Sequence, residues 1–240
     1  MRLNFLKVKL RNVAIIIALI IIADQAVKIW VKTNYPFGEI LRVGGMNWFR
    51  LYFIENPGMA WGWKFGNETG KVILTLFRLV AVIFGTWYLG KIVKQHYRKG
   101  FIVCAALIYA GALGNLIDSM FYGMIFDKGL RYDPAINDYV SYSGIAQFSS
   151  KGYSSFLHGS VVDMLYFPMV RGHFPAWFPG VGGDSFEFFS PIFNIADASI
   201  SVGVITLLVF QKRFFKKHHS DENHPVVETN SKVNDEMQVL

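Results

Sequence analysis

Cysteine is almost missing from this chain. Cys104 stands alone among 240 residues, so no intramolecular disulfide can form and no paired-thiol metal site exists. Charge is scarce as well, at 17% of residues against 52% hydrophobic. The apolar residues are gathered into four long runs instead of being spread with amphipathic periodicity, which marks a polytopic membrane protein. The formal net charge of +7 does not point to nucleic acid, because Lys and Arg cluster beside the apolar runs and form no patch interleaved with aromatics. His-Glu-x-x-His is absent, as is a Ser with an evident helix-borne His partner, which sets aside a zinc protease of that design and a serine hydrolase. No internal repeat is visible, which weighs against a proton-coupled transporter, whose charges would lie near the midplane between repeated halves.

What is present is an all-α membrane pattern. Transmembrane helices are expected at about 12–33, 71–89, 101–122 and 193–210, joined by segments 34–70 and 123–192 and followed by a polar, disordered tail, 211–240. Arg2, Lys7, Lys9 and Arg11 before Val13 to Ile22 resemble a signal peptide, but apolar character resumes after Asp24 and completes a full span. The N-terminus, the 91–99 loop and the start of the tail, 212–217, each carry four Lys or Arg, which places both chain ends in the cytoplasm and the 34–70 and 123–192 segments outside. Within 34–70, Asn47 to Ile54 is aromatic and β-branched enough for a strand, so a small extracytoplasmic sheet is expected. Glu55-Asn56-Pro57-Gly58-Met59-Ala60-Trp61-Gly62 then forces a turn that presents the Asn56 amide.

Carboxylates inside the apolar runs carry the functional argument. Asp197 is the only charge between Asn194 and Phe210, where an ionisable group costs roughly 2.5–3.5 kcal/mol on the lenient insertion scale. Asp163 precedes an aromatic loop, and Asp24 pairs with Lys28 one helical turn on. Asn115 and Asp118 share a face of the third helix, where Gly111 and Gly114 permit close helix approach. With the topology above, Asp24, Asn56, Asn115, Asp118, Asp163, Asn194 and Asp197 converge on one layer near the outer boundary. Arg78 lies roughly 10 Å into the second span, and it is expected to point inward and pair with a carboxylate, Asp118 being the proposed partner. Asn194, three residues before Asp197, is expected to orient that carboxylate. His158, five before Asp163, could in principle ligate a metal, but a single His among apolar neighbours fits a structural hydrogen bond better, and no metal or cofactor is expected. Two aspartates held close cannot both ionise easily, so one keeps a proton while the other acts as base, the pairing that hydrolysis by an activated water requires.

Asp24-Gln25-Ala26-Val27-Lys28, the Glu55 to Trp61 turn, Gly111-Ala112-Leu113-Gly114-Asn115-Leu116-Ile117-Asp118, Val161-Val162-Asp163 and Phe193-Asn194-Ile195-Ala196-Asp197 resemble, in order, the motifs of lipoprotein signal peptidase, signal peptidase II. The resemblance implies an aspartic endopeptidase of the bacterial inner membrane that cleaves prolipoproteins before a diacylglyceryl-modified cysteine. It implies Asp163 and Asp197 as the catalytic pair, Asn56, Gly58, Asn115, Asp118 and Asn194 as pocket-shaping residues, and Asp24, Lys28 and Gly111 as structural support. Membrane lipid and globomycin-type inhibitors are the other implied partners.

Two departures stand out. The family usually carries Arg after Asn-Leu-Ile-Asp, where this chain has Ser119, and Arg78, Arg131 and Arg171 are candidates to supply the missing guanidinium. Residues 123–157 and 165–192 are also longer than in compact members, which suggests a lid bearing Phe167, Phe174, Trp177 and Phe178. Gly182-Gly183-Asp184 is only loosely similar to the Gly-x-Gly-Asp of presenilin-type proteases and reads as a turn.

Overall fold

The computed structural model describes residues 8–58, 68–168, 170–188 and 191–215. Met59, Ala60 and Trp61 of the turn motif, and the polar tail from residue 216 on, lie outside them. Helix α1 (Leu10–Asn34) runs without an interior Gly or Pro. It stops because Pro36 forces Tyr35 out of the helical region (φ −127°, ψ 141°), and the Tyr35 N–H closes the last turn on the Val31 carbonyl. After strands β1 (Ile40–Arg42) and β2 (Arg50–Asn56) comes α2 (Glu68–Lys94), with Glu68 in its first turn and Lys91 and Lys94 in its last, each favourable for the helix dipole. Helix α3 (Lys99–Ile117) passes into a π-helical stretch, Asp118–Tyr122, and a final turn, α4 (Gly123–Ile125). Such π-bulges are frequent at functional sites.

The first three helices are long and apolar enough to cross a membrane. The fourth expected span is shorter: α5 covers Ile195–Val209, 15 residues, with a separate turn α6 (Gln211–Phe215) beyond it. Its start differs from the expectation for a physical reason. Ile192–Phe193 pairs as strand β8 with β5 (Val161–Tyr166), so Phe193 is extended, and Asn194 caps the helix by accepting a hydrogen bond from the Asp197 N–H.

β1, β2, β5 and β8 form one antiparallel sheet in that order. Hairpins β3–β4 (Arg131–Asp133, Asp138–Val140) and β6–β7 (Val170–His173, Ser185–Phe188) are separate. The sheet therefore joins the 34–70 segment to the 161–193 segment, a pairing of distant stretches that the sequence pattern does not reveal. Leu165 lies opposite Phe193 and Ile54 opposite Asp163, and this register sets Asp163 beside the first turn of α5.

Two apolar clusters flank the polar layer, one at the sheet end around Val31, Phe53, Tyr122, Phe126, Val162 and Met164, the other around Val13, Leu89, Ile92, Phe101 and Ile102. Between them α3 packs on α5 along small residues. A Cβ at Gly111 would collide with the Ala196 carbonyl oxygen and with Ile200, and one at Gly203 would meet Ile108 at 2.8 Å. Gly111→Ala is accordingly expected to cost about 1–3 kcal/mol by overpacking, measured as a lowered unfolding temperature of the detergent-solubilised protein. Outward-facing Phe77, Val80, Ile83 and Trp87 of α2 are each more than half exposed, as a lipid-facing surface requires.

A buried ion pair helps to fasten down the long 123–157 segment. Lys32 and Glu55, both buried, form an ion pair, with the ammonium 5.1–5.3 Å from the ring centres of Phe126, Tyr142 and Tyr153. Glu55 also accepts hydrogen bonds from the Tyr142 hydroxyl (2.7 Å) and the Leu130 N–H (2.9 Å). Tyr142→Phe removes the hydroxyl that donates to Glu55 and accepts from Lys32 at 3.4 Å, and should lower stability by about 1.5–3 kcal/mol, seen as a reduced unfolding midpoint with Glu55 and Lys32 intact. The aromatics assigned above to one lid are divided. Phe167 stacks on Phe49 (4.8 Å) and Phe193 (5.7 Å) at the sheet, because it follows β5 directly, whereas Trp177 is 78% exposed on the β6–β7 hairpin.

Candidate active site

Six of the seven polar positions that topology brings to one layer are joined by hydrogen bonds and ion pairs. Lys28, fully buried on α1, is the hub. Its ammonium bonds Asp24 Oδ2 at 2.8 Å, Asp118 Oδ2 at 2.8 Å and Asn115 Oδ1 at 2.9 Å, so all three of its N–H groups are used. Each carboxylate in turn binds backbone. Asp24 Oδ1 accepts from the Ala196 N–H (2.8 Å) and fixes the first turn of α5, while Asp118 Oδ2 accepts from the Val162 N–H (3.2 Å) and holds β5.

Lys28 also determines which way the Asn115 amide faces. An ammonium only donates, so it must meet the oxygen of Asn115. The Asn115 NH₂ is then turned toward Asp197, and it donates to Oδ1 at 2.7 Å. Asn194 Nδ2 donates to Asn115 Oδ1 (3.1 Å) and to Asp163 Oδ1 (2.7 Å), and its own oxygen accepts from the Asp197 N–H (2.8 Å). The side chain that orients the Asp197 carboxylate is therefore Asn115. Asn194 orients Asp163 instead, because as the helix cap its oxygen is committed to backbone and its NH₂ faces the strand.

The two aspartates stand in unequal surroundings. Asp163 is buried, on a strand covered on both faces, and Asp197 is half-buried. Burial, and then the nearby Asp197 charge, push Asp163 well above the usual carboxylate range, against the opposing pull of Lys28 and the Asn194 amide.

Arg78 does point into the bundle, but Asp118 is not its partner, since Lys28 already occupies that carboxylate. Arg78 Nη1 donates instead to Ser119 Oγ at 3.0 Å. Of the other two arginines considered, Arg131 is exposed on β3, and the side chain of Arg171 lies outside the described residues. Asn56, the seventh polar position, stands at the edge of the cluster. Its backbone lies opposite Val161, and its Oδ1 accepts from the Gly58 N–H (2.9 Å), closing a turn in which Gly58 has φ 121°, a value that favours glycine. With Lys71, Thr75, Arg78, Ser119 and Gly159, Asn56 and Gly58 line a polar cleft beside the cluster.

Three contributors carry no signal of their own in the sequence. Gln25 donates to Asp118 Oδ1 (2.8 Å) and accepts from the Tyr122 hydroxyl (3.0 Å). Gly159 lets β5 approach the third helix, since a Cβ there would strike the Asp118 carbonyl. Lys71 donates to Ser160 Oγ at 3.2 Å. His158 bonds through Nδ1 to Ser155 and Phe156, and among the described residues no group of three His, Cys, Asp or Glu converges as a metal-ligand set.

Comparison with known proteins agrees with this geometry. A family model described as Signal peptidase (SPase) II matches residues 16–213. The lipoprotein signal peptidase of Porphyromonas gingivalis is 45% identical over 204 residues, covering 84% of this chain and 83% of its own. That of Amoebophilus asiaticus is 34% identical over 197 residues, covering 81% and 75%. A bacterial membrane enzyme solved by the in meso method at 2.3 Å resolution is similar with a TM-score of 0.53 over 90% of this chain and 96% of that one, and at 23% identity this likeness speaks for the fold alone. Matched over most of its length by the family model and by relatives of such identity, the chain belongs to the signal peptidase II family.

Proposed function

We propose that this chain removes signal peptides from prolipoproteins, cleaving before a diacylglyceryl-modified cysteine, with Asp163 and Asp197 as the water-activating pair. The observation that carries the reading is the chain of fixed donors running from Lys28 through Asn115 and Asn194 to the two carboxylates. It orients both aspartates before substrate arrives, and such preorganisation is where electrostatic catalysis gains most. Asp197 takes a proton from water as the hydroxide adds to the scissile carbonyl, and Asp163 delivers its proton to the oxygen that develops charge. When the tetrahedral intermediate collapses, Asp197 passes its proton to the leaving amine and Asp163 recovers its own. No cofactor enters these steps.

The same reading sets the cluster near the outer face of the bacterial inner membrane, with both chain ends in the cytoplasm, because basic residues flank the opposite ends of the helices. Globomycin-type cyclic peptides are expected to compete for the aspartate pair. Purified protein in detergent should cleave a diacylglyceryl-modified prolipoprotein peptide and leave its unmodified counterpart intact. Absence of cleavage by folded protein, or equal cleavage of both peptides, contradicts the assignment.

A further inference from the structure

The geometry points to Arg78 of α2 as a substrate-positioning residue that supplies, from a different helix, the guanidinium usually found at the place of Ser119. This rests on the peptidase reading above and deepens it. Lys71, Thr75 and Arg78 follow at intervals of four and three, so α2 presents them on one face, and all three line the cleft. The two cations are employed differently. Lys71 is buried, is bonded to Ser160 Oγ and lies 5.3 Å from the ring centre of Tyr139, which pins it to the wall.

Arg78 is half-buried and spends one of its five N–H donors on Ser119; among the described residues it makes no other hydrogen bond and no ion pair. The Ser119 hydroxyl donates to the Asn115 carbonyl at 2.9 Å, so it receives Arg78 with a lone pair and holds it on the residue that orients Asp197. Asp197, Asp118 and Asp163 all act electrostatically on this guanidinium. Its unused donors, kept inside the protein beside the cleft, call for oxygen acceptors on the ligand. An acylated cysteine peptide offers two kinds of carbonyl oxygen, those of its backbone and those of the glyceryl esters.

The test uses purified full-length protein and a diacylglyceryl peptide, with a dialkyl ether analogue alongside. Arg78→Gln should lower kcat/KM roughly 10- to 100-fold, the range of a charge-assisted hydrogen bond, without lowering the unfolding temperature. Arg78→Lys should recover little, since a point charge does not reproduce the planar fork. The exchange Arg78→Ser with Ser119→Arg should restore most of the activity lost in Arg78→Ser alone, an outcome that a merely structural link between α2 and α3 does not produce and that remains informative if Arg78→Gln folds poorly. An equal defect on both peptides assigns the contact to a backbone carbonyl, and a defect confined to the ester substrate assigns it to the lipid. Unchanged kcat/KM in Arg78→Gln, or an exchange no better than Arg78→Ser, overturns the inference. A wild-type chain that cleaves neither peptide overturns the peptidase reading itself, and this inference falls with it.

Discussion

Asp163→Asn and Asp197→Asn are each expected to lower kcat/KM on the order of 10³-fold or more while leaving the fold in place, since general acid and base steps contribute roughly 10² to 10⁴ each. The fold survives because asparagine keeps an oxygen where each aspartate now accepts, from the Asn194 amide at Asp163 and from Asn115 at Asp197. What is lost is the proton that Asp163 gives, or the basic oxygen with which Asp197 takes one. The pH dependence follows from Asp163, whose carboxyl is held above the usual range by burial first and by the Asp197 charge second. Its protonated form persists above the pH at which an ordinary carboxyl ionises, so the rate should fall as pH rises through the elevated value, where Asp163 ionises and no acid remains. Removing the Asp197 charge should move the titration of Asp163 downward, but not to the ordinary value, because burial is unchanged. Spectroscopic titration of that carboxyl in Asp197→Asn measures this directly, and an Asp163 that ionises at the ordinary carboxylate value in the wild-type chain would reverse the assignment of acid and base.

Residue type and topology made the site's members legible in the sequence, whereas their pairings were not. Charges within apolar runs identify Asp24, Asp118 and Asp197 without any structure, because the cost of placing them there demands a reason. Pairing along one helix was equally accessible, and the Asp24 to Lys28 spacing anticipates the bond at 2.8 Å. Contacts between segments were not accessible. Lys28 takes Asp118 from α3 as a second partner, which leaves Arg78 to Ser119, and no helical spacing encodes that choice. Asn194 illustrates a different failure. Three residues before Asp197, it looks like a neighbour on the same helix face, yet it is the cap, and the strand before it is visible only once β8 pairs with β5. Lys32 and Glu55 are 23 residues apart and belong to different elements, so their ion pair against the 123–157 segment was hidden for the same reason.

Lys28→Met should cost about 3–5 kcal/mol, the effect of stranding buried charge, and should do so more severely than loss of an ordinary ion pair because two carboxylates depend on this one cation. Asp24 and Asp118 would be left facing each other's charge with only Gln25 and backbone N–H groups as donors. Since Asp24 ties α5 to α1 and Asp118 ties β5 to the π-helical stretch, their repulsion loosens the two elements that carry Asp197 and Asp163. Unfolding in detergent should register the loss. Neutralising all three positions, with Asp24→Asn and Asp118→Asn added to Lys28→Met, should recover much of that stability, as replacement of whole buried ionic groups often does. It should not recover activity. Without the ammonium at position 28 the Asn115 oxygen keeps only the longer bond from the Asn194 amide, so the Asn115 amide is freer to rotate and present oxygen instead of NH₂ to Asp197. The two measurements thus separate what Lys28 contributes to folding from what it contributes to chemistry: stability should return when the charges are removed together, but cleavage should not, because the ammonium sets the direction of the Asn115 hydrogen bond to Asp197.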